Sequence, residues 1–297
     1  MSATESRETR HSIASSMIDG ISHVSTLPEV TLRIVDVIED PTSSARDLHQ
    51  IIVSDPALSA RILKVVNSSF YGMPRQVGSM NRAISLLGLN AVKNIAVAAS
   101  LGRMFRGASR IPGLDPRHLW DHSLDTAVAT CMIARASGSD CAEEAFLAGL
   151  LHDIGLMVEF QHDAALFAGM IGTLDLEPDG TPASDLRALE VERFGVEHQD
   201  LGAVLCQHWK FPKSLIRATA NHHDPGVLRG DDAMMPWFVH VGDRIAARSE
   251  PGFRLDLPEL EVSLEACDAI GVGPTGIRRV RDALAAERLE IRGSLAA

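Results

Sequence analysis

Apolar residues return every three or four positions along most of the chain, the spacing that lines one face of an α-helix. Leu32, Val35 and Ile38 follow it between Pro28 and Glu39, and Leu48, Ile51 and Ile52 follow it between Ser44 and Val53. Ile13 to Val24 predicts an earlier helix, after the polar start MSATESRETR. Pro28 suits a helix start, and Asp40-Pro41 marks a stop. Asp55 and Pro56 predict the cap and first residue of the next helix, with Leu58, Ile62, Val65 and Val66 on its inner face. SSFYGMPRQVGS is turn-like, punctuated by Gly72, Pro74 and Gly78. Helices over Met80–Leu87 and Asn90–Met104, split by Gly88, close the first half, and Gly107 to Pro116 reads as a loop between two lobes.

From Arg117 the helical spacing resumes over 117–136, 141–154, 157–171, 184–194, 197–209, 213–223 and 233–248. Thr173 to Pro182 is a turn-rich insert, and two further helices are expected near 257–269 and 275–290. No segment shows convincing strand character. The pattern predicts an all-α protein with a tail and first helix (1–26), a helical lobe (27–113), a second helical lobe (114–250) and C-terminal helices (251–297).

Composition agrees with that picture and narrows it. Hydrophobic residues are 45% of the 297 and charged residues 23%, which excludes a disordered chain. Aromatics are only 4%, with a single Tyr71, which favours helix-on-helix packing over a β-sandwich. No apolar run reaches the ~18 residues of a membrane span. The greasiest stretch, Ala145 to Phe160, is interrupted by His152, Asp153 and Glu159. No secretory signal is visible, and Cys131, Cys141, Cys206 and Cys267 show no CxxC spacing, so reduced thiols in the cytoplasm are expected.

Charge divides unevenly. Residues 1–113 carry +3 and residues 114–297 carry −14, which together give the net −11. Arg61, Lys64, Arg75, Arg82, Lys93, Arg103, Arg106 and Arg110 fall in a stretch, 56–113, that has no acid. Such a run is a solvated face, a surface docked on the acidic half, or an anion or nucleic-acid footprint. DLHQIIV-SDP-ALSARILKVVN has the outline of a helix-turn-helix, with Arg61 and Lys64 on the second helix. A short turn between amphipathic helices is common in any bundle, so nucleic acid is the least favoured partner.

The chemistry lies in the second half, where nine of the twelve histidines fall between His118 and His240. The helix AEEAFLAGLLHDIGLMVEF is apolar on all sides, so His152 and Asp153 should be buried in it. A buried unpaired charge costs several kcal/mol, and a shared cation or a mutual hydrogen bond would remove that cost. His122, His198, His222-His223 and Asp243 each sit on or at the end of another apolar helix. Each alone fits a satisfied core polar group. Together they suit a metal centre in a bundle core, and imidazole with carboxylate, without thiolate, suits Fe, Mn, Zn, Ni or Mg.

The order His122, His152-Asp153, Asp243 resembles the HD superfamily of metal-dependent phosphohydrolases. His198 and His222-His223 match the additional ligands of its HD-GYP branch. From Leu27 to about Arg248 the chain more specifically resembles the HDOD domain, the HD-related output module of bacterial signalling proteins. LPEVTLRIVDVIEDP, DLHQIIVSDPALSARILKVVNSSFYG and AISLLGLNAVKNIAV carry the resemblance in the first half, and FLAGLLHDIG, FGVEHQDLGAVLCQHWKFP and HHDP in the second.

The resemblance implies an HDOD-like bundle holding one or two divalent transition-metal ions (Fe, Mn, Zn or Ni). His122, His152, Asp153 and Asp243 would hold the first, and His198, His222 and His223 the second, with Asp153 bridging. It implies a signalling module that acts through protein partners; the alternative is a metal-dependent phosphohydrolase with a nucleotide or phosphate ligand, in which Asp153 would carry catalysis. HD-GYP enzymes resemble HDxGK where this chain has HDIGL, so Leu156 stands at the lysine, and Lys210 or Arg244 are the candidates to replace that cation. No Gly-Tyr-Pro follows His222-His223, which speaks against cyclic-dinucleotide hydrolysis.

Overall fold

A computed structural model describes residues 3–21, 29–39, 42–102, 115–248 and 254–295. Six helices come first: α1 (Ala3–Asp19), α2 (Glu29–Glu39), α3 (Ala45–Val53), α4 (Pro56–Val66), α5 (Met80–Leu87) and α6 (Leu89–Leu101). Then follow α7 (Pro116–Ala136), α8 (Ala142–Leu151), α9 (Ile154–His162), α10 (Ala164–Ile171) and α11 (Leu186–Phe194). The chain continues with α12 (His198–His208), α13 (Lys213–Asn221), α14 (Asp231–Ala247), α15 (Leu264–Ile270) and α16 (Pro274–Leu295). Among the described residues there is no strand, only an isolated bridge between Leu176 and Pro182 in the turn-rich insert. The fold is all-α, as the periodicity requires.

Local chemistry sets several helix starts. Asp55 accepts from the Leu58 N–H with Pro56 at the first helical position, and Ser44 and Asp47 cap each other at the start of α3. The polar start of the chain is not a tail. Helix α1 begins at Ala3, ten residues before the expected Ile13, because Ala, Glu and Arg are good helix formers. Arg10 lies 3.6 Å from Glu197 and 3.4 Å from Asp200, while Ala14, Met17 and Ile18 are buried. Residues 254–263, expected to open a helix at 257, are irregular up to Ser263, whose hydroxyl caps α15.

Helix α7 is the axis of the second half, with α8, α14 and α16 against it. Gly242 of α14 permits that approach, since a Cβ there would come within 2.2 Å of the Thr130 hydroxyl. Helix α6, buried on every side from Ala91 to Leu101, joins the first helices to α8. Helix α16 closes the molecule. Its Arg292 grips Asp125 through two hydrogen bonds of 2.8 and 2.5 Å, and Lys64 of α4 donates to the Gly293 carbonyl. Losing one partner of a buried pair of this kind costs about 3–5 kcal/mol.

The basic run does not form one face. Lys93 is buried and donates to the Val37 carbonyl at 3.0 Å, and Lys64 is taken up by α16. The second helix of the helix-turn-helix outline therefore packs on α16. The signals at Pro28 and Asp40-Pro41, most of the loop before Pro116, and Arg103, Arg106 and Arg110 fall outside the described residues. Among the described residues no helix is long and apolar enough to cross a membrane.

Candidate metal centre

The seven histidines and aspartates come from five places in the chain and meet in the core around α7. His122 lies within α7, His198 opens α12, His222-His223 follow α13, and Asp243 lies on α14. His152 and Asp153 depart from expectation. The helix predicted to run through them is broken there: α8 ends at Leu151, and Asp153, at φ −100 and ψ 16, starts α9. The two side chains thus project from a corner. Gly155, two residues on, lets α9 reach α12, since a Cβ there would fall 1.9 Å from the His198 carbonyl oxygen.

The result is two groups sharing one carboxylate. His122 Nε2 stands 3.0 Å from Asp243 Oδ1 and 3.7 Å from Asp153 Oδ2, and His152 Nε2 stands 3.1 Å from that same Asp153 oxygen. The other oxygen, Asp153 Oδ1, faces His222 Nε2 at 3.3 Å and His198 Nε2 at 3.7 Å. His223 Nε2 lies 3.0 Å from His198 Nε2. Asp153, His198, His222 and His223 form one potential ion-holding group, and His122, His152 and Asp243 another. Apart from His223, at 4%, every one of these side chains is 0% exposed, so solvent cannot satisfy them.

The tautomers decide what the pocket wants. His152 Nδ1 is 2.8 Å from the Gly149 carbonyl and His222 Nδ1 is 3.0 Å from the Thr219 carbonyl. A carbonyl only accepts, so each ring carries its proton on Nδ1 and turns a bare Nε2 lone pair toward the carboxylates. Those two nitrogens and all four oxygens of Asp153 and Asp243 are buried without a hydrogen bond. Lone pair facing lone pair is repulsive, and a cation between them satisfies all of these atoms together. The residues present fit divalent ions, and the pocket can hold a metal.

A proton is the other species that could cancel this charge. Burial works against a charged His152, but Asp153 and then Asp243 outweigh it and hold its pKa well above the ordinary value. Burial, helped by the neighbouring His152 and His198, outweighs Asp153 and brings His222 down to about 4, which leaves it a neutral ligand. Both aspartates are held well below the usual carboxylate range, because the imidazoles overcome the burial penalty.

Three surrounding residues were not foreseen. Glu190 of α11 receives His198 Nδ1 on both oxygens at 2.9 Å, the carboxylate–histidine arrangement that fixes a ligand ring. His240, one turn before Asp243, donates from Nδ1 to the His222 carbonyl at 2.7 Å. Asp256, from the irregular segment after α14, lies 3.5 Å from His223 Nε2 with neither oxygen hydrogen-bonded. Burial, then Asp153 and Asp243, push its carboxyl well above the usual range. Leu156 is fully buried in α9, Lys210 is exposed at the end of α12, and Arg244 is half-buried against His240.

Fold and site together define an all-helical protein with two adjoining buried histidine–aspartate groups that could hold metal. The chain belongs to the HDOD domain family, whose match spans residues 24–225. An HDOD domain protein of unknown function from Geobacter sulfurreducens shares the fold at TM-score 0.79 and 23% identity, over 97% of each chain. A protein from Shewanella amazonensis SB2B, provisionally named a phosphohydrolase, superposes at TM-score 0.74 and 20% identity, over 95% of this chain and 98% of that one. A Marinobacter aquaeolei VT8 protein, provisionally named for signal transduction, gives 0.74 and 21%, over 98% of this chain and 66% of that one. An uncharacterized protein of Treponema pallidum (strain Nichols) is 26% identical over 213 residues, which is 71% of this chain and 40% of that protein's length.

Proposed function

We propose that this protein is a signalling module of the HDOD type whose metal pair organises its core, and that it acts through contacts with other proteins. One observation carries the reading: six of the seven donor side chains have no exposed surface, which leaves no opening for a phosphoester. His122, His152, Asp243 and Asp153 Oδ2 would hold one ion, and His198, His222, His223 and Asp153 Oδ1 the other. Bound there, divalent ions would supply Lewis acidity, and with no opening for a phosphoester their part would be to hold the helices together. The chain's own residues then fix geometry: Glu190 orients His198, while the Gly149 and Thr219 carbonyls orient His152 and His222. The name of the Marinobacter protein supports the signalling role.

The second reading, a metal-dependent phosphohydrolase, is favoured by the shared carboxylate and by the name of the Shewanella protein. Buried Leu156 replaces the lysine that would meet the phosphate. Elemental analysis of protein purified without added metal should find one or two transition-metal ions per chain, and Asp153→Ala should lose most of them. Wild-type protein that stays metal-free after exposure to Fe(II), Mn(II), Zn(II) and Ni(II) sinks the metal reading. With loaded protein, no appreciable cyclic di-GMP hydrolysis is expected. Turnover near the common enzyme value of about 10 per second, lost in His152→Ala, would establish the second reading instead.

A further inference from the structure

A second polar concavity lies on the other side of α14. It has a volume of about 190 Å³ and is walled by α14, the segment 260–262 and the first two turns of α16. Four arginines line it: Arg244 and Arg248 from α14, Arg278 and Arg281 from α16. On α16, Pro274, Ile277, Arg278 and Arg281 recur at three-and-four spacing, so they share the face that α16 turns to the cavity.

Residues 114–297 carry −14 overall, yet this cavity gathers four of their sixteen basic residues against one lining acid, Glu261. Glu261 pairs with Arg248. Among the described residues Arg281 pairs only with its neighbour Asp282, at 3.6 Å on the surface, a contact worth little. Arg244 is withdrawn from solvent, and burial lowers its pKa from the usual arginine value against the more distant pull of Asp243, Asp256, Glu259 and Asp224. Its hydrogen bond goes to the His240 carbonyl at 3.2 Å, and among the described residues no carboxylate stands within ion-pair distance of it. The Nδ1 of His240, at 3.1 Å, already gives its proton to the His222 carbonyl and accepts little more.

Like charges around a concavity repel one another, and an anion seated among them reverses the sign of that energy. Guanidinium forks match the oxygens of a phosphoryl group, and the N–H groups at the start of α16 add positive potential from a long helix. Ile245, Val262 and Ile277 give the cavity an apolar wall, which suits carbon next to the phosphate. The volume is below the ~300–1,000 Å³ of sites that enclose drug-sized ligands. It holds a phosphoryl group and a few attached atoms.

We propose that the arginine-lined cavity between α14 and α16 binds a phosphoryl group, free or on a small ester, as a regulatory ligand separate from the metal centre. Helix α14 carries Asp243 on the metal side and Arg244 on the cavity side, and the segment that brings Asp256 to His223 also supplies Leu260 to Val262. A ligand that tightens this wall biases the metal centre, and by linkage the metals bias the ligand. The site stands whether or not the metal reading holds.

The test is calorimetric titration of the full chain at low salt with inorganic phosphate and with glycerol 3-phosphate, glycerol being the control. Saturable binding of at least one is expected, at least about tenfold weaker in Arg278→Ala/Arg281→Ala and retained in Asp153→Ala. Both arginines are exposed, so the double variant should melt like wild type. Arg244→Met should abolish binding, and if that variant fails to fold the surface pair still decides. Tighter binding of the ester assigns a phosphorylated metabolite; tighter binding of inorganic phosphate assigns the free anion. No saturation at millimolar ligand, binding indifferent to Arg278 and Arg281, or binding lost in Asp153→Ala would each overturn the proposal.

Discussion

Asp153 turns one oxygen toward each imidazole group, and neither oxygen is engaged by a hydrogen bond. Three of its neighbours are set more firmly than it is, since the Nδ1 atoms of His152, His198 and His222 each have a partner of their own. Glu190 is the strongest of these partners. Changing Glu190→Gln should keep the shape but remove the charge behind His198, lowering affinity for the second ion about 10–100-fold and sparing the first. Competition with a chromogenic chelator separates the two affinities, and an equal loss at both sites would contradict the division described here. Five of the seven central residues were legible because they belong to short phrases, such as HDIG or HHDP, that a family resemblance picks out, and His122 and Asp243 because each sits on an apolar helix in the order that resemblance expects. Glu190 and Asp256 were not. Glu190 stands eight residues before the ring it serves, and Asp256 lies outside the 24–225 match in a segment without helical spacing.

At the level of elements, the corner between α8 and α9 is what the periodicity could not show. LLHDIGLMVEF keeps its apolar residues through the break, so hydrophobic spacing carries the first helix on to 154 and starts the next at 157, whereas the chain turns at His152-Asp153. The corner depends on Gly155, whose backbone meets the backbone of His198. Gly155→Ala is expected to push α12 away and separate His198 from Asp153. Metal content should fall by about one ion per chain, with a stability loss of roughly 1–3 kcal/mol from overpacking, read from metal analysis and chemical denaturation. Unchanged values in both would show that α9 and α12 can part without cost. The early start of α1 was hidden for a different reason. Its first turns are polar on every side, and what stabilises the helix is propensity together with the pairing of Arg10 to Glu197 and Asp200.

For the whole molecule, ions held by side chains from five separate segments would act as a cross-link. Ligand at about 100 times its dissociation constant stabilises a fold by roughly 2.7 kcal/mol. A domain of this size shifts its melting midpoint by roughly 2–4 °C per kcal/mol. Chelation should therefore lower the midpoint by about 5–10 °C with helix content retained below the transition, and should add nothing further in Asp243→Ala. An unchanged midpoint after verified metal removal would mark the cluster as one that never needed an ion.

The pH dependence has a definite sign. In the metal-free chain Glu190 outweighs the burial of His198 and lifts its pKa from 6.5 to about 9, and His152 is raised as well. Between about 6.5 and 9 the folded state thus binds more protons than the unfolded state, and stability falls as the pH rises. Metal competes with those same protons, so its affinity rises over the same window. The gap between loaded and chelated midpoints should widen from pH 6.5 to 9, and scanning fluorimetry across that range would expose a constant or narrowing gap.

Closure of the donor set has one more effect, on time rather than on affinity. With imidazoles and carboxylates walled in by α7, α8, α9, α12 and α14, an ion can leave only when helices part. Exchange with external metal then follows the breathing of the core, on the slow scale of sub-global opening. The species found in a purified sample would record the ions available while the chain folded, and a later change of medium would leave that record in place for as long as the core stays shut.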